Sequence, residues 1–160
     1  MNLQSIVRMG AVAVFLMPVF SLAADVKVPE NSHEHFSLMI NNTIEWTHHI
    51  QDEVAKGKKM SVEHAKEEAV HLRGWLAEMS KSYIELSKQP LSEIQEGHFK
   101  AIKTRQDSAE ATLTVLEAEL AKSKQDLSLL KKTIKKIMAD LKEASKQHEA
   151  ELTEIEHKHK

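Results

Sequence analysis

No cysteine occurs among the 160 residues. That absence excludes disulfides, thiolate metal sites, iron–sulfur clusters, thiol nucleophiles, the C-x-x-C-H attachment of haem and the modified cysteine of a lipoprotein signal. Glycine (4) and proline (3) are scarce, and aromatic residues make up 4%. A sheet protein needs turn residues and a supply of aromatic and β-branched side chains, so the composition points to an all-α fold. The same shortage of aromatics argues against a haem pocket. Charge is nearly balanced, with 22 Lys+Arg against 24 Asp+Glu, which gives no broad attraction to nucleic acid or to an anionic surface. No phosphate-cradling glycine loop and no Ser-His-Asp arrangement is visible, so an enzyme is not expected.

Long apolar runs are also missing, with one exception. Met9 to Phe20 is apolar apart from Gly10 and Pro18, follows Arg8 and precedes Ser21-Leu22-Ala23-Ala24. This order is that of a secretory signal peptide, so residues 1–24 are expected to be removed near Ala23/Ala24, leaving a periplasmic or secreted protein. The run is short of the roughly 20 residues that span a bilayer. No second run follows, and no membrane anchor is expected.

What is present is helical periodicity. After an extended leader over 25–31, Asn31 with Glu34 fits a capping box, and Phe36, Met39, Thr43, Trp46 and Ile50 form an apolar stripe. This predicts a helix over 32–56, stopped at Gly57. Ser61 is placed to cap a second helix over 61–88, with Val62, Ala65, Ala69, Leu72, Leu76, Met79, Tyr83 and Leu86 as its seam, ended by Pro90. From Phe99 to Ile155 a spacing of three and four persists, with Gln106, Ser123 and His148 as polar members and one further polar d position before Ile155. Two architectures satisfy it within a single domain over 32–160. In one, a helical hairpin packs on a long C-terminal coiled-coil helix over 91–157; in the other, the polar stretch Lys122 to Asp126 is a turn and the chain is a four-helix up-down bundle. Unbroken register without glycine or proline favours the long helix. Its exposed half, Leu127 to Leu141, then calls for a partner, and a homo-oligomer through the heptad seam is expected.

Ten histidines are the unusual positive feature: His33, His35, His48, His49, His64, His71, His98, His148, His157 and His159. His49 and Glu53 lie one helical turn apart, and His64, Glu67, Glu68 and His71 line two turns. Folding back at Gly57 brings His49 level with His64 and Glu68, so these residues are candidate ligands shared across the hairpin. His33 with His35, and His157 with His159, form H-x-H pairs near the two ends. His148 takes an a position, where a polar residue commonly sets register. Imidazole with carboxylate suits Cu(II), Ni(II) or Zn(II), copper binding tightest in the general order. E-x-x-H occurs at Glu45/His48, Glu68/His71 and Glu154/His157, but Glu45, His48 and His71 lie off the apolar stripes, which argues against a buried di-iron centre.

Residues 49–58, H-I-Q-D-E-V-A-K-G-K, and 63–71, E-H-A-K-E-E-A-V-H, resemble the repeat of the small metal-binding protein family of histidine-rich helical periplasmic proteins. Lys56 stands where that repeat carries a further histidine. The resemblance implies storage of divalent metal, copper foremost, with His49, His64 and His71 among the ligands. Together these features give an expected function: divalent-metal binding for storage, buffering or tolerance, with His49, Glu53, His64, Glu68, His71, His33 and His35 as ligands. The competing expectation is a metal-independent coiled-coil envelope adaptor or holdase-like chaperone.

Overall fold

The computed structural model describes residues 32–57, 62–89 and 93–158. They form four helices and no strand: α1 His33–Ala55, α2 Val62–Ser87, α3 Glu93–Leu120 and α4 Leu127–Lys158. The all-α expectation holds. Each helix packs on its neighbours in sequence and α1 closes the ring against α4, with α3 and α4 sharing the most extensive interface. This is an up-down four-helix bundle.

The first two helices follow their apolar periodicity. Ser32, in extended conformation at φ −99° and ψ 151°, caps α1 by accepting the His35 amide at 3.0 Å. The cap is therefore Ser32 rather than Asn31, which lies outside the described residues, as do the leader, Ser61 and Pro90. Gly57 has φ +59°, a left-handed conformation that glycine adopts without a Cβ clash, and it ends the helix as expected.

The third helix corrects the expectation of one continuous helix over 91–157. The chain turns at 121–126 with neither glycine nor proline, because side chains do the capping. The Gln125 amide donates to the Leu120 carbonyl at 3.4 Å. Asp126 accepts the Ser128 and Leu129 amides at 2.9 and 3.1 Å, an N-cap for α4. Buried Glu119 accepts the Asp126 amide at 2.7 Å and pairs with Lys122. Ser123, the polar seam position, sits exposed in this turn. Folding back places Leu130, Ile134, Ile137 and Leu141 in one core with Leu113, Leu116 and Leu120. Each such side chain gains about 1.5–3 kcal/mol from burial, far more than the turn costs. The apolar stripe that called for a partner subunit is covered within the chain.

The interior also holds polar side chains. Buried Thr43 and Thr47 donate to the carbonyls of Met39 and Thr43, at 2.6 and 2.8 Å. Asp140, 4% exposed, accepts from Ser108 and Lys136 at 2.7 Å each, tying α3 to α4. No described helix is long and apolar enough to cross a membrane.

Candidate metal sites

Two clusters of histidine and carboxylate occur, one on each half of the molecule. The first lies on the α1–α2 hairpin. His64 Nδ1 is 3.1 Å from Glu53 Oε1 and its Nε2 is 3.1 Å from Glu68 Oε1, while His49 Nδ1 approaches Glu68 Oε2 at 3.6 Å. Lys56 also pairs with Glu53. Glu53 and Glu68 are buried, whereas the side chains of His49 and His64 are half exposed. The carboxyl of Glu53 is held below its ordinary value, first by the Lys56 hydrogen bond and against desolvation, with Lys56 charge and His64 adding to the effect. The hairpin thus brings His49, Glu53, His64 and Glu68 together. His71 does not join them: its ring stacks on Trp46 at 4.6 Å, and Trp46 meets His49 edge-on at 5.0 Å. Chemically this is a polar network whose nitrogens already face separate carboxylate oxygens.

The second cluster closes one end of the bundle. His33 is the first residue of α1; His148 and Glu151 stand three apart on one face of α4. His148 is 2% and Glu151 0% exposed. The His33 and His148 rings stack at 5.2 Å, and Phe36 packs edge-on against His148 at 4.9 Å. His148 Nε2 lies 3.2 Å from the backbone carbonyl of His33. A carbonyl only accepts, so Nε2 carries the hydrogen, and in the neutral ring Nδ1 is the nitrogen that presents a lone pair. That Nδ1 faces Glu151 Oε2 at 3.4 Å without hydrogen-bond alignment. Both Glu151 oxygens, His148 Nδ1 and His33 Nδ1 are buried and have no hydrogen-bond partner. One donor atom from each of the three residues lies within 4.8 Å of the others, the only group of three or more such side chains among the described residues to converge in this way. Burial is the main cause holding the His33 imidazole below its ordinary value; Glu151 opposes it and His148 reinforces it.

His33 and His35 do not face a common site. Side chains two apart on a helix point in widely different directions. His33 faces α4, whereas His35 lines a small cleft with Glu78, Lys81, Ser82 and Glu85 of α2. The His157 side chain and His159 lie outside what is described. Sequence reasoning missed Glu151 because it passed as one polar d position in an apolar seam. The available signal was its spacing from His148: a polar a residue followed by a polar d residue puts two polar groups into the core together. At the same end, His98 of α3 bonds Gln147 at 3.1 Å and Glu154 at 3.3 Å. Burial lowers the His98 pKa, but these two bonds outweigh it and the net shift is upward. No protein-family model, curated protein or solved structure matches this chain.

Proposed function

We propose that this bundle binds a divalent transition-metal ion at its His33–His148–Glu151 end, and that its role is storage or buffering of metal rather than catalysis. One observation carries the reading: a wholly buried carboxylate with two unpartnered oxygens faces two imidazole nitrogens that are also unpartnered. Burying an unpaired carboxylate costs several kcal/mol, and a cation among the three groups removes that cost. The 3.4 Å between His148 Nδ1 and Glu151 Oε2 is close to the edge of a tetrahedral site with bonds near 2.1 Å, about 3.3–3.5 Å. The His148 hydrogen bond to a backbone carbonyl is the usual outer support of a metal-binding imidazole. Two imidazoles and a carboxylate suit Cu(II), Ni(II) and Zn(II), with copper first by affinity order. The hairpin cluster is a second, weaker site on this reading, because metal there must displace Lys56 and existing imidazole–carboxylate pairs.

The signal-like segment before Asp25 supports a periplasmic or secreted location, where cysteine-free ligands withstand oxidation. N-terminal sequencing of protein recovered from the envelope fraction tests this; a mature end near Ala24 or Asp25 supports export, and an intact Met1 opposes it. The adaptor or chaperone reading loses its main support, since the seam it relied on is buried inside the chain. Calorimetric titration with Cu(II) and Zn(II) tests the metal reading. One equivalent bound at micromolar Kd or tighter supports it, and millimolar binding contradicts it.

A further inference from the structure

Of the fourteen lysines with described side chains, seven are ion-paired and seven are not. Lys56, Lys66, Lys81, Lys88, Lys103, Lys122 and Lys136 each pair with an acid three or four residues away. Lys131, Lys135 and Lys142 of α4 are exposed and have no ion pair among the described residues. No acid occurs three or four positions from any of them: their neighbours at those steps are Leu127, Ser128, Ile134, Met138, Ala139, Ser145 and other lysines. At 3.6 residues per turn the three lie within about 40° of one another around the helix, and like charges so spaced repel. An uncompensated cationic stripe on a chain of net charge −2 is the feature to explain.

The stripe borders a groove of about 500 Å³ between α1 and α4. Its floor is formed by Ala55 and Met138 over buried Val54 and Ile134, its far bank by His48 and Gln51, and no lining residue is acidic. The lysine bank runs 11 residues, about 16 Å at the helical rise. We infer that this groove binds a single-chain anionic amphiphile of the fatty-acid class, with its head group on the lysine stripe and its alkyl chain along Ala55, Met138 and the lysine stems. Charge complementarity selects an anion, and the narrow apolar floor selects one chain rather than a polar anion alone. The site is separate from both histidine clusters and does not depend on metal.

The test is a fluorescence titration of the full chain with dansyl-undecanoate, followed by displacement with laurate and, separately, with dodecanol. Saturable 1:1 binding reversed by laurate but not by dodecanol is expected. K131Q/K135Q/K142Q weakens it at least tenfold. Ala55→Trp, which fills the groove from an exposed position, does the same, while K132Q/K146Q leaves it within twofold. Circular dichroism and zinc titration of each variant show that the fold and the metal sites are intact. Absent or non-saturable binding overturns the inference. So does an Ala55→Trp variant that binds like the parent, or binding to phosphatidylglycerol vesicles without any laurate displacement, which would make α4 a membrane-facing surface.

Discussion

The two histidine–carboxylate clusters use the same residue types and differ in what surrounds them. On the hairpin, His49 and His64 are half exposed, Glu53 also pairs with Lys56, and the one buried side-chain atom without a hydrogen bond is Glu68 Oε2, 3.6 Å from His49 Nδ1. At the bundle end, His148 and Glu151 are sealed from solvent and their free atoms face each other unsatisfied. The hairpin leaves one buried atom unsatisfied and the bundle-end cluster leaves four, so a cation would gain more at the bundle end. Each cluster holds two histidines, so on the proposed reading the difference in affinity follows burial and unsatisfied valence rather than histidine number.

The largest effect that separates the clusters is on metal affinity. Glu151→Gln keeps shape but removes the anionic donor and is expected to weaken zinc binding at least 100-fold, about 2.7 kcal/mol, by calorimetry. His49→Ala with His64→Ala is expected to change the first equivalent less than threefold. The reverse ranking would break the comparison. Stability without metal is expected to move the opposite way. Glu151→Met replaces an unpartnered buried carboxylate with an apolar chain and is expected to raise the metal-free unfolding free energy by about 1–4 kcal/mol, read by urea denaturation. Glu68→Met on the hairpin strands His49 and His64 and is expected to yield no gain.

The helices over 32–56 and 61–88 were legible because Phe36 to Ile50 and Ala65 to Leu86 repeat at helical spacing, and Gly57 announces a stop. The break between α3 and α4 was not, because heptad register runs through it and its caps, Gln125, Asp126 and Glu119, are ordinary polar residues whose role emerges only when the chain folds back. The hairpin cluster could be read from local spacing across one turn. The bundle-end cluster joins residues 115 apart, and no local period reports on such a pair. Asp126→Ala tests the turn: losing two accepted amides is expected to cost about 1 kcal/mol, seen as a lower urea midpoint with unchanged slope.

The smallest effects concern pH. The His33 pKa is lowered in the folded state, chiefly by burial, so the unfolded chain binds the proton more readily and stability from this residue declines as pH falls below the ordinary 6.5. The His98 pKa is raised, its bonds to Gln147 and Glu154 outweighing desolvation, so its contribution is full below 6.5 and is lost as pH rises through the raised value. Comparing His33→Ala and His98→Ala between pH 5.5 and 8, His98→Ala is expected to destabilise more at pH 5.5. His33→Ala is expected to lessen the parent's loss of stability on acidification. Identical pH profiles for the two variants would remove this distinction.

The most direct test of the central claim is a long-range imidazole 15N–1H spectrum recorded as zinc is added stepwise to the full chain at pH 7.5. The Nδ1 resonances of His33 and His148 are predicted to shift during the first equivalent, while those of His49 and His64 stay in place until it is exceeded. Early movement of His49 and His64, with His33 and His148 unchanged, would contradict the account.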